Sequence, residues 1–274
     1  MSEFLSVGQF RCRFLDGGAF RVDGGAMFGV VPRVLWEKRV QPDGLNRVAL
    51  AMNPLLIVGP THTILVDPGI GPREAERFGD HYHIARPRDL EERLMEAGVT
   101  TDAVDMVINT HLHWDHSGSN MAVVDGGRVV PAFSNAVYYV QEGEWNEAVD
   151  PCELTRASYL MQAEASLARS GQLTLVQGER EIVTGVRLVP TPGHTPHHQS
   201  VCIESEGQTL FYLGDVIPTT AHLPLPYITA LDLEPRVTLE TKRWILHRAR
   251  AENWQLAFCH DPAQKLLRLS EDDG

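Results

Sequence analysis

A layered α/β fold is the reading this sequence supports, and two observations carry it. Short apolar runs of β-type composition alternate with longer stretches in which apolar residues recur at helical spacing. Five of the apolar runs, 63–66, 104–108, 186–189, 209–213 and 256–258, are each closely followed by polar side chains able to bind metal. Open α/β sheets place their ligand sites at the carboxyl ends of strands, so these five runs are expected to converge on one site.

In chain order, the run at 63–66 leads into Asp67, and the helix expected over 89–97 has Leu90 and Leu94 one turn apart with Gly98 placed to end it. The run at 104–108 leads into His111-Leu112-His113-Trp114-Asp115-His116. A second helix is expected over 153–170, where Leu154, Ala157, Leu160, Met161 and Leu167 share a face before Gly171. The run at 186–189 opens into Pro190-Thr191-Pro192-Gly193-His194, a turn framed by proline and glycine that fixes the direction of the histidine. The run at 209–213 delivers Asp215 after Gly214. A last helix opens with Pro235 in its first turn and runs to about 250, with Val237, Thr241, Trp244, Ile245 and Arg248 at helical spacing and basic residues in its last turn. The final run, 256–258, brings up His260.

The 274 residues, 43% of them hydrophobic, suffice for a large core, and 1–274 reads as a single domain. A formal net charge of -12, with no local basic patch, argues against a nucleic-acid partner or an anionic membrane surface. Bound divalent cations would offset part of that charge. Cys12, Cys152, Cys202 and Cys259 form no close-spaced pair, so no zinc knuckle or dithiol redox motif is indicated and reduced thiols are expected. The first residues lack a basic stretch followed by a long apolar one, and no apolar run approaches about 18 residues, so a soluble, cytoplasmic protein is the expectation.

In His111-x-His113 the imidazoles lie two residues apart, so on an extended segment both point the same way and can grip one ion. Asp115 and His116 follow on a tightening turn and reach toward a second ion. His194 joins from its rigid loop, Asp215 is acidic enough to bridge both ions, and His260 completes the second site. Two divalent metal ions are therefore implied. Imidazole and carboxylate without thiolate suit zinc, and iron, manganese and cobalt accept the same set. Paired ions lower the pKa of a shared water, so attack of hydroxide on a carbonyl at neutral pH is the expected chemistry, with Asp215 bridging. Asp115, beside that hydroxide, is the expected proton carrier to the leaving alkoxide.

At these residues, and from about Gly17 to Asp261, the chain resembles the metallo-β-lactamase superfamily. The resemblance implies an αββα sandwich of two similar halves with the metals at one edge. It implies one metal held by His111, His113 and His194, a second held by Asp115, His116 and His260, and Asp215 between them. It also implies that Asp67 orients a ligand histidine, with Thr110 and His198 in similar supporting places. Thr191 to Ser200 is most similar to the quorum-quenching N-acyl-homoserine lactonases and their organophosphate-hydrolysing relatives, and Gly24 to Pro32 followed by Leu35-Trp36 is similar to a lactonase subgroup. The activity implied is opening of the ring of N-acyl homoserine lactones or related lactones, and the alternative is hydrolysis of organophosphates or aryl esters at the same metals. The chain departs from the pattern at Pro218, where several lactonases carry a tyrosine.

Phe28, Trp36 and His222 are the expected substrate contacts. The segment from Phe20 to Trp36 suits the roof of an acyl-chain pocket, ordinary packing, or a face between two copies in a homodimer. His62, His81, His83, His197 and His247 read as exposed histidines, Trp114 as packing and Cys259 as a small buried hydrophobe.

Overall fold

In the computed structural model, which describes residues 4–85 and 89–270, the strands are apolar on both faces and so must be covered twice. Leu55, Ile57, Ile64 and Val66 point to one side of their sheet, while Leu56 and Leu65 point to the other. That sheet has seven strands in the order Leu5–Val7, Phe10–Phe14, Leu55–Val58, Thr63–Val66, Met106–Ile108, Val137–Gln141 and Leu173–Val176. A second sheet has six, in the order Arg180–Val183, Val186–Pro190, Gln199–Ser205, Gln208–Tyr212, Gln255–Ala257 and Leu266–Arg268. Within it only Gln208–Tyr212 and Gln255–Ala257 pair in parallel, joined through the helix Pro235–Ala251.

The sheets face each other through Phe10, Leu55, Ile57, Val66 and Ile108 on one side and Leu188, Val201, Ile203, Leu210 and Tyr212 on the other. On the outer face of the first sheet, Leu65, Val107 and Val140 pack against Leu94, Trp145, Ala148 and Leu167 of three helices, Leu90–Glu96, Glu142–Val149 and Met161–Ser170. On the outer face of the second, Cys202, Phe211, Leu256 and Phe258 meet Ile245, Leu246 and Ala249 of the helix Pro235–Ala251. This is the expected αββα sandwich. A fourth cluster caps the edge where the strands end. There the hairpin Ala19–Asp23 with Arg47–Ala51, and the short helices Gly24–Phe28 and Arg33–Trp36, bury Phe20, Met27, Phe28, Trp36 and Leu50 against Trp114. Among the described residues no helix is long and apolar enough to cross a membrane.

All five expected strands form, with bounds within two residues of those predicted. One expected helix falls short. The helix predicted over 153–170 forms only at Met161–Ser170, because the backbone of 152–158 makes tight turns and the Ser158 carbonyl accepts from Trp114 N at 2.9 Å. Leu154 is consequently 79% exposed, and the side chain of Met161 lies outside those described. In Pro235–Ala251 the buried face is Thr238, Lys242, Ile245, Leu246 and Ala249, so Val237 and Trp244 lie at the surface. This helix forms as expected, and burying a lysine in its inner face is rare.

Candidate metal centre

The strand ends set the backbone of the site. After Thr63–Val66, Asp67 takes a left-handed φ of 46°, an unfavourable conformation for a residue with a Cβ. The turn aims its carboxylate back into the protein, where it accepts from Thr110 N at 2.8 Å, Thr110 Oγ1 at 2.8 Å and His116 Nδ1 at 2.9 Å. The first sheet thus supplies His111, His113, Asp115 and His116, the last three around the short helix Trp114–Ser117, and the second sheet supplies His194, Asp215 and His260.

For four of the histidines one ring nitrogen is committed as a donor. His111 Nδ1 donates to Thr110 Oγ1 at 3.0 Å, His116 Nδ1 to Asp67, His194 Nδ1 to Asp232 Oδ1 at 2.9 Å, and His260 Nδ1 to the Ala51 carbonyl at 2.9 Å. Each Nε2 is then left with a bare lone pair. His116 Nε2 and His260 Nε2 lie 3.1 Å apart, His194 Nε2 lies 3.1 Å from His113 Nδ1, and His111 Nε2 is buried without any hydrogen-bond partner. Lone pairs crowded in this way favour a cation among them, a shared proton or a metal ion. The ligand atoms of His111, His113 and His194 lie within 4.8 Å of one another, as do those of Asp115, His116 and His260.

Asp215 stands between the two groups. Its Oδ1 lies 3.0 Å from His260 Nε2 and 3.2 Å from His116 Nε2, while its Oδ2 lies 3.4 Å from His194 Nε2 and 4.0 Å from His111 Nε2. The approach is tight. Gly214 has φ 56°, and a Cβ there would collide with the ring of His198. His198 Nε2 instead accepts from Asp215 N at 3.1 Å, and burial pushes this ring down to about 3, so it stays a neutral acceptor. Cys259 Sγ sits 3.2 Å from Asp215 Oδ1 and 3.1 Å from the Gly214 carbonyl; it is buried, as expected, and it also braces the carboxylate. Asp115 Oδ2 lies 3.6 Å from His260 Nε2 and 3.7 Å from His116 Nε2.

Electrostatics match this geometry. Burial drives His111 and His113 well below the ordinary imidazole range, as neutral ligands require. Burial acts the same way on His116, but the carboxylates of Asp215, Asp67 and Asp115 outweigh it and hold that ring well above its ordinary range. Burial would raise Asp215, yet His260, His116 and His194 keep it well below the carboxylate range. The attraction that draws protons here draws a divalent cation equally well.

Above these ligands opens a cavity of about 450 Å³ with His113, Asp115, His194, Asp215 and His260 in its lining. Phe20, Val22, Met27, Leu50, Tyr82 and Trp114 form an apolar wall, and Thr155, Ser158 and residues 229–233 close the other side. Phe28, Trp36 and His222, the expected substrate contacts, do not reach this cavity. Phe28 is stacked between Trp36, 5.0 Å away, and His222, 4.8 Å away, and all three are buried behind the wall. His222 Nε2 donates to the Met27 carbonyl at 2.8 Å and its Nδ1 accepts from Thr219 Oγ1 at 2.8 Å, so the ring staples the cap in place. Trp114 both packs on Phe78 and Tyr82 and faces the cavity. Of the five histidines expected at the surface, His81, His83, His197 and His247 are exposed and His62 is half-buried.

Residues 49–260 match the sequence model of the metallo-beta-lactamase superfamily. The chain belongs to that superfamily. An N-acyl homoserine lactonase of Bacillus thuringiensis is 34% identical to it over 172 residues, which are 63% of this chain and 62% of that protein. The chain therefore spans less than two thirds of the length of this relative. A probable metal-dependent hydrolase from Staphylococcus aureus has the same fold with a TM-score of 0.91 at 29% identity, over 98% of this chain and 96% of the other. AidC, a dizinc quorum-quenching lactonase in complex with a product N-hexanoyl-L-homoserine, shares the fold with a TM-score of 0.78 at 19% identity, over 99% of this chain and 95% of AidC.

In this member of the metallo-beta-lactamase superfamily the His and Asp clusters are consistent with a binuclear metal site. Two buried acids in this metallo-beta-lactamase site escape a reading of the sequence. Asp232 reaches His194 from a loop with only flanking Leu231 and Leu233 to mark it. Glu144 accepts from Leu112 N at 3.0 Å, between His111 and His113, and from Tyr159 Oη and Thr195 Oγ1. Burial pushes its carboxyl up against the pull of those donors. Glu144 lies at the start of a helix, where an acid is ordinary, so spacing gives no signal for it.

Proposed function

We propose that this protein is a dinuclear zinc lactonase that opens the ring of N-acyl homoserine lactones or related acyl lactones. The observation that carries the reading is Asp215, whose two carboxylate oxygens face different histidine groups on the floor of an apolar-walled cavity. In this assignment His111, His113 and His194 hold one ion, Asp115, His116 and His260 hold the other, and Asp215 spans the pair. Zinc suits the imidazole and carboxylate donors. Once bound, such ions supply a nucleophile from water at neutral pH and polarise the substrate carbonyl.

The chain's own residues do the remainder. Asp67, Thr110, His198 and Asp232 orient the ligands through the hydrogen bonds described above, and such partners set affinity. Asp115, whose side chain is 14% exposed beside His260, carries a proton to the leaving alkoxide, which in a lactone stays tethered. Phe20, Met27, Leu50 and Tyr82 offer apolar contact to an acyl tail. Pro218 also lines the cavity and brings no donor of its own to the carbonyl. The similarity to the Bacillus lactonase supports this substrate class.

The test is kcat/KM for the zinc-loaded protein across acyl homoserine lactones, simple lactones, aryl esters and an aryl phosphotriester, with metal content measured on the same samples. Two zinc ions per chain and the highest values on acyl lactones are expected. Fast phosphotriester hydrolysis with lactones barely turned over would reject the lactonase reading in favour of an organophosphate or aryl-ester hydrolase.

A further inference from the structure

The helix Pro235–Ala251 turns five side chains inward, and one of them is charged. Lys242 is fully buried, and its Nζ donates to the carbonyl oxygens of Pro224 at 3.1 Å, Leu225 at 3.4 Å and Tyr227 at 2.7 Å. An ammonium has three donors, so each finds an acceptor in one short stretch of irregular chain. An aliphatic side chain there would leave those carbonyls without their partner.

The clamped stretch continues into the metal centre. Ala230 N donates to the Ala26 carbonyl at 2.8 Å, and Leu233 N to the His194 carbonyl at 3.0 Å. Asp232 holds His194 Nδ1, and residues 229–233 wall the cavity. The same helix grips the His194 loop directly. Thr241 Oγ1 donates to the Pro192 carbonyl at 2.8 Å, and Gly193, at φ 139°, packs so closely on Thr238 that a Cβ would collide with it.

We propose that Lys242 is a positioning residue for the metal centre: by fixing 224–227 it holds Asp232 against His194 and residues 229–233 against the substrate space. The proposal rests on His194 being a metal ligand, as assigned above. Burial pulls the Lys242 ammonium down to about 7, with the charge of Asp232 opposing. His222 also feels the lysine charge and remains neutral at this pH. A neutral amine has only two donors, so the clamp slackens as pH rises through about 7.

Hydrogen exchange over 223–233 and zinc affinity, by competition with a chelator, test this in wild type, Lys242→Met, Lys242→Arg and Leu246→Ala. Leu246 is buried on the same helix and controls for a general loss of stability. Lys242→Met is expected to lose protection over 223–233 and to bind zinc about tenfold more weakly. Lys242→Arg, which keeps the charge, should retain both properties and lose the wild-type fall in protection above pH 7. Leu246→Ala should lower Tm without either change. If Lys242→Met does not fold, Lys242→Gln, with two donors, should show smaller losses in the same direction. Wild-type protection or unchanged zinc affinity in the Met or Gln variant overturns the proposal, as does Leu246→Ala reproducing both losses. His194→Ala tells the two failures apart. Unchanged zinc affinity in that variant removes the ligand assignment and this proposal with it, whereas weakened affinity there, with Lys242→Met unaffected, removes only the role of Lys242.

Discussion

Asp232 Oδ1 lies 2.9 Å from His194 Nδ1 and accepts from Thr229 Oγ1 at 2.7 Å, so an acid far along the chain sets the tautomer of a histidine in the candidate metal centre. Asp67 plays the same part for His116 from the opposite sheet. The two histidine groups are therefore each anchored by a buried carboxylate that stands outside the candidate ligand set. Asp232→Ala leaves His194 Nδ1 without its acceptor, and zinc affinity is expected to fall by about 10- to 100-fold. Chelator competition measures it, and an affinity equal to wild type would exclude this role for Asp232.

Asp215 and Asp115 separate by their response to metal. Asp215→Asn takes away the charge between the two groups, so zinc content and lactone hydrolysis should fall together. Asp115→Ala should abolish turnover even in excess zinc, because proton delivery is lost along with a ligand. Complete recovery of the rate by added zinc in Asp115→Ala would show that the residue is a ligand only.

Acyl-chain dependence tests the cavity wall. Each buried methylene contributes roughly 0.8 kcal/mol, so two more carbons should raise kcat/KM about tenfold until the cavity fills. Met27→Ala, which opens the wall, should flatten that series. Phe28→Ala removes a ring buried between Trp36 and His222, and should cost about 3–5 kcal/mol of stability while leaving the slope with chain length unchanged. Urea unfolding and a kcat/KM series on the same variants check both statements, and a flat wild-type series would contradict the first.

His222 gives the protein an acid limit that arises mainly from burial. Burial holds the folded ring down to about 4, against 6.5 for a free imidazole. Between those values the unfolded chain takes up a proton that the folded chain refuses, so stability present above pH 6.5 is lost as pH falls toward 4. The full difference is worth about 3 kcal/mol. His222→Gln should be less stable at pH 7 and show a correspondingly shallower decline, read as the difference between the two proteins in urea unfolding across that range. Parallel declines would rule this contribution out.

The seven residues that the structure gathers into the candidate metal centre were legible because each follows an apolar run closely, and a strand end fixes position without knowledge of neighbours. Asp67 follows such a run too, but its orienting role, like the places of Thr110 and His198, rests on the family resemblance. Asp232, Glu144 and Lys242 were illegible for a common reason: each acts on a segment distant in sequence, and nothing in local spacing reveals which carbonyl or ring it will meet. Phe28 and Trp36 belong to the expected segment but lie behind the cavity wall, and Gly24–Phe28 and Arg33–Trp36, each about one turn long, are too short for periodicity to define an inner face. The apolar spacing of 153–160 suits a helix, whereas the turns there and the hydrogen bond from Trp114 N to the Ser158 carbonyl override that preference.

One half of the sandwich supplies His111, His113, Asp115 and His116 to the centre, and the other supplies His194, Asp215 and His260. An ion held by both halves is therefore a rivet across the seam between the sheets. Because the unfolded chain cannot hold these side chains together, saturation at a hundredfold excess over Kd would add about 2.7 kcal/mol to the folded state. Loss of such an ion would then lower the stability of the folded protein as well as empty its site.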